Sequence, residues 1–134
     1  MSEPAFGRAP SLDDLALMAE RAFAELPEGF RRLAGEVVFR VDDFPPDEVL
    51  DELGIEDAFG LTGLYQGVDL ARRSVFDAPQ PSRVFLYRRP ILDEWAERGD
   101  VTLEELVTHV LVHEIGHHFG LSDGDIDAIE AAAE

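Results

Sequence analysis

The chain has 134 residues, 46% hydrophobic and 30% charged, a balance that suits one soluble globular domain with its own core. It contains no cysteine, which excludes disulfides, iron–sulfur clusters, Cys-ligated zinc and thiol catalysis, so any metal must be held by His, Asp or Glu. Eleven basic residues, all Arg, stand against 29 acidic ones, and the net charge of −18 repels nucleic acid and anionic membranes.

The N-terminus lacks the basic and apolar regions of a signal peptide, and no apolar run approaches a bilayer span, so a cytoplasmic location is expected. Residues 1–10, with Pro4, Gly7 and Pro10, read as a flexible arm, and residues 11–134 as one domain. Ser11 is an N-cap, after which Leu12, Leu15, Ala16, Ala19, Ala22, Phe23 and Leu26 recur at helical spacing. Pro27 ends that helix and can open a short second one through Phe30 and Leu33. Residues 36–41, β-branched and aromatic, predict a strand that Pro45-Pro46 breaks, and Asp47 to Leu53 predicts a short helix. Leu64 to Val68 and Arg83 to Arg88 predict two further strands. A helix over Ile91–Arg98 stops at Gly99, and Thr102 with Glu105 forms a capping box for a helix running to about Phe119. A last helix covers Asp125 to Ala132. Helices around a few strands predict an α+β domain with a small mixed sheet.

The chemistry is concentrated in His113-Glu-Ile-Gly-His-His-Phe-Gly-Leu-Ser-Asp123. His113 and His117, four apart on a predicted helix, project from one face and can meet one cation. Glu114 follows the first histidine, where its carboxylate can reach a water rather than the metal. Gly120 supplies a left-handed C-cap that turns the chain back, so that Asp123 can return as a third ligand. Three protein ligands with an open fourth position is the plan of a catalytic zinc site. From this chain's own composition, His-Glu-x-x-His arises by chance with a probability of roughly one percent. Adding the Gly and the Asp lowers that to about one in ten thousand. Glu114 also lies beside Val107, Val110 and Leu111, where a carboxylate is costly unless it is paired or used.

The segment resembles the zincin metallopeptidases of the His-Glu-x-x-His-x-x-Gly-x-x-Asp type, and most closely the small bacterial minimal metalloproteases with a zincin-like domain. The resemblance extends to Leu26-Pro27-Glu28, to Leu61-Thr-Gly-Leu-Tyr-Gln-Gly-Val and to Val84-Phe-Leu-Tyr-Arg-Arg-Pro-Ile. It implies a single zincin-like domain, one zinc ion per chain on His113, His117 and Asp123, and Glu114 as general base. The larger metzincins have His as third ligand and a Met-turn beyond it; here the position is Asp123 and the only methionines are Met1 and Met18.

The expected reaction is hydrolysis of a peptide or related amide by a zinc-activated water, with Glu114 accepting its proton and passing it to the leaving amine. The zincin plan calls for an edge strand that binds an extended peptide, with Val84–Tyr87 the first candidate and Leu64–Val68 the second. Tyr65, Tyr87, His109 and Arg88 are candidates for contact with substrate or transition state. His109 also has ligand spacing to His113, but no carboxylate follows it, so a supporting or solvent role is expected. His118 points about 100° away from His117 and is expected to pack or hydrogen-bond rather than bind the metal. Asp125 and Asp127 rival Asp123 but fall at the start of the last helix. The acidic residues Asp42, Asp43, Asp47, Glu48, Asp51 and Glu52 read as solvated faces. An alternative keeps the metal without the hydrolysis, as a zincin-like binding or regulatory domain; a third makes the chain an acidic partner of a basic protein. The partner expected is a peptide or small amide, with no nucleic acid, no membrane and a monomeric chain.

Overall fold

The computed structural model describes residues 9–66 and 82–133. The first eight residues of the expected arm 1–10 and the last two residues of the expected strand 64–68 lie outside these. The described residues form an α+β domain: helices α1 (Leu12–Ala24) and α2 (Glu28–Ala34), strand β1 (Val37–Asp42), helix α3 (Asp47–Leu53), a 3-10 turn at Ala58–Gly60, strands β2 (Gly63–Gln66) and β3 (Ser82–Tyr87), then helices α4 (Arg88–Arg98), α5 (Leu103–His118) and α6 (Asp123–Ala133). Among the described residues no helix is long and apolar enough to cross a membrane.

The sheet is mixed, in the order β1-β3-β2. β1 runs parallel to β3 from Val37 opposite Ser82 to Asp42 opposite Tyr87, and β2 runs antiparallel to β3 with Gly63 opposite Leu86. β3 is therefore the central strand, with Val84 and Leu86 fully buried. This corrects the choice of Val84–Tyr87 as the edge that takes a peptide: both of its edges are already hydrogen-bonded, and β2 is the edge strand that packs on α5.

Local chemistry sets the helix ends. The Ser11 hydroxyl accepts from the Asp14 amide at 3.1 Å while the Asp14 carboxylate accepts from the Ser11 amide at 2.8 Å. Thr102 and Glu105 make the same reciprocal pair at 3.1 and 3.0 Å. α4 begins at Arg88, three residues before the predicted start. Pro90 sits in its first turn, where the missing N–H costs nothing, and the Arg89 amide donates instead to the Asp43 carbonyl. α6 likewise begins at Asp123, two residues early, because Ser122 and Asp125 form a third reciprocal cap.

The core gathers on α5. Leu103, Leu106, Val107, Val110, Leu111, Val112 and Ile115 are all buried, under Leu15 and Ala19 of α1, Ile91 of α4 and Ile126 of α6. Gly63 brings β2 close to this helix: a Cβ there would lie 2.8 Å from Cγ1 of Val110 and 3.1 Å from the Phe85 carbonyl oxygen.

The cap of α5 is testable. Hydrogen bonding to Thr102 lowers the pKa of Glu105, so the box stabilises the fold fully above the ordinary glutamate value and loses its effect as pH falls through the lowered one. Thr102→Ala is expected to cost about 1 kcal/mol in denaturant unfolding at neutral pH, and less in acid once Glu105 is protonated.

Candidate metal centre

α5 buries its aliphatic residues in the core, and three of its histidines lie along one strip of its surface. His109, His113 and His117 recur every fourth residue and so form a column. The rings of His109 and His113 lie 3.9 Å apart between centroids at 40°, and those of His113 and His117 lie 5.4 Å apart at 87°. Glu114 stands half-buried beside this column. Burial raises its pKa, opposed in part by attraction to His117. For His113 burial lowers the pKa, with His109 adding repulsion and Glu130 opposing it.

The chain leaves α5 through a tight turn that sets α6 against the column. Gly120 takes φ +74°, the left-handed conformation that permits the reversal. The Gly120 amide donates to the His117 carbonyl at 3.1 Å and the Leu121 amide to the Gly116 carbonyl at 3.0 Å, the paired bonds of a Schellman ending. The Ser122–Asp125 cap starts α6 immediately afterwards. At Gly116 the two helices approach so closely that a Cβ would sit 2.9 Å from Cγ1 of Ile126.

α6 then brings two carboxylates to the histidine column. Asp123, in its first turn, places Oδ1 3.7 Å from Nε2 of His117 and is 92% exposed. Glu130, about two turns further on, places Oε1 2.8 Å from Nδ1 of His109 and 3.3 Å from Nε2 of His113. Nε2 of His113 and Oε1 of Glu130 are buried and lack any hydrogen-bond partner. Among the described residues, the group of His, Asp and Glu donor atoms that all come within 4.8 Å of one another is His109, His113 and Glu130. Neutral imidazoles and carboxylates suit zinc and related divalent ions, and buried donor atoms without partners fit a cation.

The sequence-predicted residues divide accordingly. His113, Glu114 and His117 share one side of α5, and Asp123 turns back to His117. His109 and Glu130 form the tighter group with His113. Glu130 escaped the sequence reading, although its position seven residues after Asp123 on a helix would have put it on the same face. Asp125 is engaged in the cap of α6, which leaves Asp123 the better placed of the two. Tyr65 is buried, donates its hydroxyl to Ser82 Oγ at 2.9 Å and packs edge-on against His118 at 4.5 Å, so His118 packs as expected. Tyr87 is 1% exposed, and burial, then the Asp42 charge, raise its pKa. Arg88 donates to the Pro10 carbonyl at 2.6 Å and to Asp43 at 3.2 Å, which ties the segment before α1 to the end of β1.

A family model described as zincin-like metallopeptidase matches residues 34–133, from the end of α2 through α6. No curated protein matches the chain at a significant level.

The contact at Gly116 generates a prediction. Gly116→Ala forces Ile126 and α6 outward, so unfolding should be easier by about 1–3 kcal/mol in denaturant titrations. Calorimetric zinc titration of the same variant should show weaker binding, because both carboxylates ride on α6.

Proposed function

The chain belongs to the zincin-like metallopeptidase family, and from that premise we propose that it is a zinc-dependent metallopeptidase that hydrolyses peptide or related amide bonds. In this reading His113, His117 and Asp123 hold one zinc ion, which supplies a Lewis acid for the scissile carbonyl and for the attacking water. The observation that carries the proposal is Glu114. It is half-buried next to the first of these histidines, its pKa is raised by burial, and among the described residues no hydrogen bond engages its carboxylate.

A carboxylate in that setting is a better proton acceptor than one in water, because burial disfavours its charged form. Glu114 takes the proton of the attacking water and delivers it to the leaving amine. Among the described residues β2 has one edge without a partner strand and lies beside α5, so an extended peptide can add along it as a further strand. The excess of carboxylates supports a peptide or small amide as substrate over nucleic acid. The surroundings of Tyr65, Tyr87 and Arg88 favour structural roles for all three, since each is buried or engaged within the fold.

A second reading, a zincin-like metal-binding domain without hydrolysis, is favoured by one observation: the tightest donor group includes neither His117 nor Asp123.

The test is metal content and cleavage of a fluorogenic peptide pool by wild type and Glu114→Gln. Both proteins are expected to carry about one equivalent of zinc, with cleavage slowed about 10²–10⁴-fold in the variant. Zinc in both without cleavage by the wild type favours the second reading, and loss of zinc from Glu114→Gln would make that residue a ligand and refute its role as base.

A further inference from the structure

The column of histidines on α5 is longer than the His-Glu-x-x-His motif requires, and α6 supplies a carboxylate to each end of it. His117 faces Asp123, while His109 and His113 converge on Glu130. We propose that His109, His113 and Glu130 form a second position for a divalent transition-metal ion, one helical turn before the motif, which competes with the motif's own ligands for His113.

Three observations carry this. The donor atoms have the spacing of a coordination sphere: two ligands about 2.1 Å from a tetrahedral zinc ion stand about 3.4 Å apart, and Nε2 of His113 is 3.3 Å from Oε1 of Glu130. His109 reaches the same oxygen at 2.8 Å, so a small opening of one side chain admits the ion. Nε2 of His113 and Oε1 of Glu130 are buried, and among the described residues their short N···O contacts lack hydrogen-bond geometry, so a cation among the three atoms satisfies both. The donor class, two imidazoles and one carboxylate, selects zinc, cobalt, nickel or iron over calcium and magnesium.

A neutral imidazole has one nitrogen with a free lone pair, so His113 serves one ion at a time and the two positions exclude each other. An ion in the upstream position leaves Glu114, His117 and Asp123 without it. The upstream position is thus a resting place for the ion, from which it moves one turn along α5 to reach Glu114. The inference goes beyond the hydrolase reading and needs no catalysis.

The test uses the full chain and Co²⁺ or Zn²⁺ alone, with affinity by calorimetry and geometry from the visible spectrum of bound Co²⁺. His117→Ala/Asp123→Ala removes the motif's other ligands. This variant is expected to keep one equivalent of Co²⁺, and adding Glu130→Gln to it should weaken binding at least about tenfold and change the spectrum. Asp127→Asn, which makes the same charge change one turn away on α6, should cost much less. Circular dichroism of each variant establishes that it is folded. Retained binding that is indifferent to Glu130→Gln, or no binding by a folded His117→Ala/Asp123→Ala protein, overturns the proposal. If a folded His117→Ala/Asp123→Ala protein binds no Co²⁺ while the wild type binds zinc and cleaves peptide, the upstream position fails while the hydrolase reading stands.

Discussion

The arrangement of the candidate metal centre depends on how closely two helices approach at Gly116. With only a hydrogen there, Ile126 fills the space a side chain would take, and α6 lies directly along α5. Asp123 and Glu130, whose carboxylates meet the histidine column, are both carried by that second helix. Distances of a few ångströms between donor atoms therefore depend on one van der Waals contact in the core, made by the residue next to His117 and by a residue between Asp123 and Glu130. The site inherits its precision from packing, which is stiff, rather than from the long side chains that form it.

The same packing explains how α5 tolerates its polar strip. Burying seven aliphatic residues contributes roughly 10 kcal/mol or more, at about 1.5–3 kcal/mol for each fully buried side chain. Half-burying one carboxylate and leaving two polar atoms without partners costs only a few kcal/mol against that. The helix can therefore afford chemically unsatisfied groups at its surface. Those groups are a half-buried carboxylate with a raised pKa and donor atoms suited to a cation.

What could be read from the sequence was what is encoded locally. The N-cap at Ser11, the capping box at Thr102, the apolar period of α5 and the turn glycine at Gly120 all act over a few residues, and the structure has them where the pattern placed them. The α+β class followed from the same local signals. The order of the strands did not, because β1 pairs with a strand some forty-five residues away and nothing in either segment says which of three strands lies between the others. Glu130 was missed for a related reason. Its partners are in another helix, and its importance arises only when Ile126 seats against Gly116. The early start of α6 was legible in Ser122-x-x-Asp125, but a motif read as ligands left no room to read its last residues as a cap.

That double reading bears on the spacing of the motif itself. Gly120 closes one helix and Ser122 opens the next, with a single residue between them, so the interval from His117 to Asp123 holds no slack. One inserted residue would either undo a cap or rotate the start of α6 by about 100° around its axis, carrying Asp123 off the histidine face. A shorter turn would pull Leu121 out of its bond to Gly116. The six-residue interval is in this sense a gauge block: its length is dictated by the hydrogen bonding of two helix ends, and the metal chemistry has to be written in the positions that this gauge leaves free.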